Sequence, residues 1–161
     1  RPNALAALAL ATALGADAAA LARALPTLRP PEHRLEDLGW RAGRRVFDNG
    51  VSTTPDSTLS ALRALAGPVV LVAGGQAKRL DYGPFVAEAA RRARAVVLFG
   101  AAAEELAERF RAAGVEPAIA RDAAEAARVA LRVADPGESV LFSPACASFD
   151  GYPNFRERAL A

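Results

Sequence analysis

Val69-Val70-Leu71-Val72-Ala73 runs without a polar interruption into Gly74-Gly75, and no other stretch restricts the fold as much. Three of its five apolar residues are β-branched. A short run that is apolar on both faces, with no alternation, reads as a strand buried inside a parallel sheet. Glycines at its end mark a backbone that must turn sharply or admit a close approach. In open α/β sheets, ligands bind beyond the carboxyl ends of the strands. Just past the glycines stands Lys78, the only lysine in the chain; every other basic side chain except His33 is an arginine. A compact ammonium on a flexible stem suits a single carboxylate or phosphate as a point charge. The plainer reading of Lys78 is a surface lysine in a loop.

The segments around this strand alternate. Residues 34–38 and 45–47 read as short strands joined through Gly39-Trp40-Arg41-Ala42-Gly43, a glycine-flanked turn in which Trp40 is expected to cover core. Asp48 to Thr54 is a polar loop. Thr54-Pro55-Asp56 then opens a helix to about residue 66, with a threonine cap, proline in the first turn and an acid at the positive end of the dipole. Beyond the central strand, helices are expected at 83–92, 102–113 and 122–133. The last opens on Asp122-Ala123-Ala124-Glu125, a capping-box variant. Strands are expected at 95–99, 117–120 and 139–142. Strands separated by helices imply right-handed crossovers and a mostly parallel sheet with helices on both faces.

Residues 4–14 and 18–25 read as two short helices, the second capped by Asp17. Pro26, Pro30 and Pro31 then form a stiff, non-helical connector. A boundary near residue 31 divides the chain into a helical segment, 1–30, and an α/β domain, 31–161. Two small helices cannot bury a core of their own, so they are expected to belong to a neighbouring domain. The chain opens on Arg1-Pro2 and contains no methionine, as expected of a piece of a longer protein.

The chain is 161 residues long, 52% hydrophobic and 24% charged, the composition of a soluble globular protein. No apolar run is long enough to span a bilayer. Net charge is +2, and the arginines at 41, 44 and 45 and at 91, 92 and 94 are interleaved with acids. That is a solvated surface rather than a nucleic-acid footprint. One cysteine allows no internal disulfide, which points to a reducing cytoplasm.

Three loops are expected to gather at the carboxyl edge of the sheet: Asp48–Thr54, Gly74–Asp81 and Ser143–Phe155. The last offers small residues, amides and hydroxyls, with Phe149, Tyr152 and Phe155 as apolar walls. One ammonium among hydroxyls and amides suits a small ligand bearing carboxylates. Gly-x-Gly-x-x-Gly and Gly-x-x-x-x-Gly-Lys-Ser/Thr are both absent, so the chain has neither a dinucleotide fingerprint nor a Walker A loop. One His and one Cys far apart make no metal site. Cys146 and Ser148 have no candidate histidine base except the distant His33, which argues against nucleophilic catalysis.

Several segments carry a family resemblance. They are Asn3-Ala4-Leu5-Ala6-Ala7, Pro31-Glu32-His33-Arg34, Val51-Ser52-Thr53-Thr54-Pro55-Asp56-Ser57-Thr58, Gly74-Gly75-Gln76-Ala77-Lys78, Ser143-Pro144-Ala145-Cys146-Ala147-Ser148-Phe149-Asp150 and Asn154-Phe155-Arg156-Glu157-Arg158. In order and spacing the chain resembles the Mur ligases, and among them the D-glutamate-adding branch. The resemblance implies the end of a central ATPase domain at 1–30 and a carboxy-terminal Rossmann-like domain at 31–161. The implied reaction is ATP-dependent addition of D-glutamate to UDP-N-acetylmuramoyl-L-alanine through an acyl phosphate, a step of peptidoglycan precursor synthesis. Thr53, Lys78, Ser148 and Phe155 would hold D-glutamate, Phe155 through its backbone. Asn3 and Arg34 would reach the nucleotide, and Asp48 or Asn49 the ribose. ATP and Mg2+ would be held mainly by the central domain, upstream of this chain, so no catalytic or metal residue is assigned here. The family often has Asn-Asp-Ser where this chain has Asp48-Asn49-Gly50, and an acid where it has Gln76. The chain also stops short of the family's expected final helix. The other readings are a non-catalytic carboxylate-binding module and a regulatory α/β domain.

Overall fold

The computed structural model describes residues 2–28 and 31–161, and side chains from residue 5 onward. The chain forms two compact units, Arg1–Pro30 and Pro31–Ala161. The first holds α1 (Pro2–Ala13), α2 (Ala18–Ala24) and a 3-10 turn, Leu25–Thr27. Asp17 caps α2, its carboxylate accepting from Ala20 N at 2.8 Å. Leu5, Leu10 and Leu14 stand exposed.

The second unit is an α/β domain. Its elements are β1 (Glu36–Arg41), β2 (Arg44–Asp48), α3 (Pro55–Ala64), β3 (Val69–Gly74), α4 (Gly83–Arg92), β4 (Ala93–Phe99), α5 (Ala103–Ala112), β5 (Ala118–Ala120), α6 (Ala123–Val133), β6 (Ser139–Ala145) and α7 (Phe155–Leu160). They form one six-stranded sheet in the order β1-β2-β6-β3-β4-β5. Only β1 runs antiparallel. Every residue of β3 is buried, as its unbroken apolar run requires.

The strand order places the helices. From β2 to β5 the chain steps one way across the sheet, so right-handed crossovers lay α3, α4 and α5 on one face. The return from β5 to β6 lays α6 on the other. Two cores result. Leu71, Ala73, Val96 and Leu98 meet Leu62, Phe85, Leu106 and Phe110 on the first face. Val70, Val72, Val97 and Phe99 meet Ala123, Ala126 and Ala130 on the second. The small alanines let α6 lie close to the sheet.

The β1–β2 hairpin departs from expectation. β1 begins at Glu36, not residue 34, and continues to Arg41, into the segment read as a turn. The turn itself is Ala42-Gly43, both with positive φ (48° and 79°), the primed geometry that matches strand twist. Between Asp37 and Trp40 the register slips, with Gly39 at φ 77°, so the strand bulges. Trp40 is not core: on this edge strand it is 60% exposed, because the strand has a neighbour on one side only.

Other boundaries and caps differ too: β4 begins at Ala93 rather than residue 95, and β6 runs on to Ala145. α3 ends at Ala64 rather than near residue 66. Thr54 precedes α3 without capping it through its side chain; Ser57 Oγ donates to Thr54 O instead. Asp122 does cap α6, but the Glu125 carboxylate reaches back one residue beyond the box, to Arg121 N at 2.9 Å. α7 lies inside what reads as loop and chain end, started by Asn154, whose side chain accepts from Arg156 N and Glu157 N.

Candidate functional site

All three expected loops meet at the carboxyl edge, and backbone contacts hold them there. Gln76 and Ala147 exchange two hydrogen bonds, each 2.9 Å, which ties the loop after β3 to the loop after β6. Gly75 N donates to Phe99 O at 2.9 Å, and Gly75 O accepts from Ala102 N at 2.8 Å. The glycines permit this approach. A Cβ on Gly74 would sit 2.0 Å from Phe99 O, and one on Gly75 would sit 2.3 Å from Ala147 O. What comes close to this turn is the protein's own backbone.

At the end of β6 the register slips between its pairings with Val72 and Gly74. Pro144 cannot donate to a ladder, and Ala145 takes a positive φ of 61°. The resulting bulge swings Cys146–Ser148 across the top of β3. Beneath it lies a buried polar network. Asn49 Nδ2 donates to Ser52 Oγ and to Ser143 Oγ (2.9 Å), and Ser143 Oγ donates to Thr58 Oγ1 at 2.8 Å. Asn49 Oδ1 accepts from Leu35 N at 3.0 Å. Such a network fixes the loops that it joins.

Lys78 is exposed, and its Nζ donates to Thr53 Oγ1 at 3.2 Å, so two of the four expected ligand residues touch. Its backbone N–H donates to Tyr82 Oη at 3.3 Å. Tyr82 is buried beneath the loop, and desolvation holds its phenol well above the ordinary range. It therefore stays a neutral donor. Ser148 is buried, next to the Ala147–Gln76 pair. Phe155 opens α7, 37% exposed. Of the expected apolar walls, Phe149 is 72% exposed. Tyr152 turns to the other face, where its hydroxyl accepts from Ala123 N at 3.3 Å and its ring packs on the second core.

Of the residues expected near the nucleotide, Asn3 has its side chain outside the described residues, and Arg34 is exposed in the bend before β1. Asp48 is buried, with Oδ2 2.6 Å from His33 Nδ1 and Oδ1 accepting from Gly50 N at 2.7 Å. His33 and Leu35 have positive φ (60° and 48°). Bonds from His33 N to Glu36 Oε2 (2.9 Å) and from Val51 N to His33 O (3.2 Å) hold that strained segment in place. His33, Glu36 and Asp48 form a cluster with metal-ligand proximity. Those groups already bond one another, and an imidazole is a poor ligand for Mg2+, which prefers oxygen. The cluster therefore does not fit the ion that the resemblance implies.

Cys146 is fully buried, and desolvation pushes its thiol above the ordinary range. It is a packing residue, in accord with the reading against a catalytic cysteine. Two residues of the edge lie in the resembling segments but receive no role from the sequence. Asp150 Oδ2 accepts from Ala101 N at 2.9 Å and so latches the last loop onto the end of β4. Arg158 is buried under the same loop, donating to Cys146 O and Ala147 O. An arginine between Glu157 and Ala159 has no local pattern that marks it as buried.

These features define a class: an α/β domain whose parallel strands end in three linked loops that set one ammonium beside a hydroxyl. The family model "Mur ligase, glutamate ligase domain" matches residues 33–146, and the chain belongs to that family. It is 41% identical over 159 residues to the UDP-N-acetylmuramoylalanine--D-glutamate ligase of Nitrosospira multiformis, covering 99% of this chain and 34% of the relative. The ligase of the same name from Pelotomaculum thermopropionicum is 40% identical over 157 residues, covering 97% and 34%. The chain thus spans about a third of the length of these curated relatives. Among solved structures, E. coli FolC in complex with ADP aligns with a TM-score of 0.73 at 21% identity, over 99% of this chain and 38% of FolC. The UDP-N-acetylmuramate-alanine ligase MurC of Thermotoga maritima aligns with a TM-score of 0.68 at 24% identity, over 89% and 33%. At those identities the likeness is one of fold.

Proposed function

We propose that this chain is the carboxy-terminal part of an ATP-dependent ligase that adds D-glutamate to UDP-N-acetylmuramoyl-L-alanine in peptidoglycan precursor synthesis. Residues 1–30 would complete a central ATPase domain, and 31–161 would form the amino-acid-binding domain. The carrying observation is the 3.2 Å contact between Lys78 Nζ and Thr53 Oγ1. It sets the only lysine beside a hydroxyl from a different loop, at the edge where an α/β sheet binds ligands. The near-40% identity to ligases named for D-glutamate supports the same substrate.

In this reading Lys78, Thr53, Ser148 and the Phe155 backbone hold D-glutamate. ATP converts the carboxylate of UDP-N-acetylmuramoyl-L-alanine into an acyl phosphate. The D-glutamate amine attacks that carbonyl, the amide bond forms and phosphate leaves. Holding the dicarboxylate by fixed donors aims its amine in line with the acyl carbon. Asn3 and Arg34 serve the nucleotide. Asp48 is the better ribose acceptor of the two candidates: its carboxylate keeps lone pairs beyond those given to His33 and Gly50, and it lines an open groove with Glu32, His33 and Glu36. Asn49 has both amide hydrogens committed to Ser52 and Ser143. Mg2+ belongs with the upstream domain, and no step is assigned to it here.

The test is Lys78→Ala in the complete ligase. A charge-assisted hydrogen bond contributes roughly 1.5–3 kcal/mol, so kcat/KM for D-glutamate should fall by about ten- to a hundred-fold. The loss should lie mainly in KM for D-glutamate, since Lys78 binds a group that does not react, and KM for ATP should hold. Lys78→Arg should also be impaired, because a planar fork does not fit a point-charge site. Wild-type D-glutamate kinetics in Lys78→Ala would rule the assignment out.

A further inference from the structure

Arg158 is 1% exposed, and its partners among the described residues are backbone carbonyls alone. Nη1 donates to Cys146 O at 2.9 Å and Ala147 O at 2.8 Å, and Nη2 donates to Gly50 O at 3.3 Å. Nε meets no acceptor among the described residues. A Cβ placed on Gly75 would stand 2.8 Å from Nη1, so the guanidinium also lies against the turn after β3. Burial penalises the cation and pulls its pKa down, outweighing the attraction of Asp150, which forms no ion pair with it among the described residues. An apolar side chain would fill the same space without that penalty. What guanidinium adds is a rigid planar fork of donors that reaches several carbonyls at once.

The carbonyls it reaches are informative. Gly50 lies three residues before Thr53, Gly75 three before Lys78, and Ala147 one before Ser148; Phe155 opens the helix that carries Arg158. One buried group therefore touches all three loops, each next to the side chain that loop presents. We propose that Arg158 is a positioning residue whose guanidinium keys the three loops of the carboxyl edge into one register, so that Thr53, Lys78 and Ser148 face a single substrate. The identity of that substrate rests on the D-glutamate reading; the keying of the loops does not.

The experiment compares wild type with Arg158→Lys and Arg158→Met. Lysine keeps the charge, but its single ammonium cannot hold carbonyls of separate loops in the geometry of a planar fork. Hydrogen exchange on this chain should show the amides of Gln76 and Ala147 exchanging about ten-fold faster or more in Arg158→Lys, and faster again in Arg158→Met. Amides inside β3 and β4 should keep their protection. In the complete ligase, KM for D-glutamate should rise about 10- to 100-fold in Arg158→Lys while KM for ATP stays near wild type. Unchanged protection of Gln76 and Ala147 overturns the proposal. So does uniform loss of protection that includes β3, or an equal rise in both KM values, since either makes Arg158 a support of the whole fold. If wild-type ligase does not use D-glutamate, the proposed function falls, and the exchange comparison still decides the role of Arg158.

Discussion

Lys78 and Cys146 show how neighbours assign opposite roles to two residues that each occur once in the chain. The ammonium of Lys78 is exposed on a flexible stem and meets a hydroxyl. The Cys146 thiol is buried beside Tyr82, its Sγ 3.5 Å from the phenol oxygen. Both the thiol and the phenol are raised by desolvation above their ordinary values of 9.0 and 10.0. The folded state therefore retains these protons at pH values where the unfolded chain has lost them. By linkage, their contribution to stability is intact below about pH 9 and declines as pH rises beyond it. The expected outcome is a thermal midpoint that falls from pH 9 upward, and falls less steeply in a Cys146→Ala, Tyr82→Phe double variant. Thiol titration at pH 8 should find Cys146 unreactive until the domain unfolds.

Among the elements, the turn after β3 carries the tightest constraint. Gly75 has φ 120°, and a Cβ there meets the Ala147 carbonyl at 2.3 Å and the Arg158 guanidinium at 2.8 Å. Gly67 also has a positive φ, 80°, yet a Cβ there meets nothing within 4 Å. The pair separates backbone strain from collision. Gly67→Ala should cost about 1 kcal/mol, from conformation alone. Gly75→Ala should cost about 2–5 kcal/mol, because overlap with a carbonyl adds to strain. Denaturant midpoints of the two variants check this; equal midpoints would show that close packing at the carboxyl edge has no cost beyond the dihedral. β6 shows the same logic in reverse. Its bulge at Ser143-Pro144 lets Ala145 pair again with Gly74 and brings Ala147, next to Ser148, against Gln76 in the loop of Lys78.

For the molecule as a whole, both apolar cores draw every residue from the second unit, between Leu35 and Tyr152. Among the described residues the first unit supplies none, and its leucines stand largely exposed. Residues 31–161 are therefore expected to fold on their own. Deleting 1–30 should leave the cooperative thermal transition within a few degrees of its original midpoint, by calorimetry. A lost or strongly lowered transition would mean that α1 and α2 contribute to the core. No helix among the described residues is long and apolar enough to cross a membrane.

The local pattern of the chain was enough to establish β3, the alternation of helices and strands, and the glycine turn that places Lys78 at a sheet edge. Those properties follow from runs of neighbouring residues, where burial on both faces writes itself as an unbroken apolar run. The motifs after β2, β3 and β6 were likewise enough for the family. Tertiary structure decided the rest. Trp40 and Arg158 have ordinary local contexts, yet the edge strand leaves the tryptophan in solvent and the loops close over the arginine. Asp48 and Asn49 are adjacent, yet one bonds His33 and the other Leu35 and Ser143. Gly74 and Gly75 mark a close approach in sequence, but only the fold shows that the approaching groups are Phe99 and Ala147. In each case the deciding contact joins residues distant in sequence and near in space. Strand order selects such contacts, and local periodicity does not encode them.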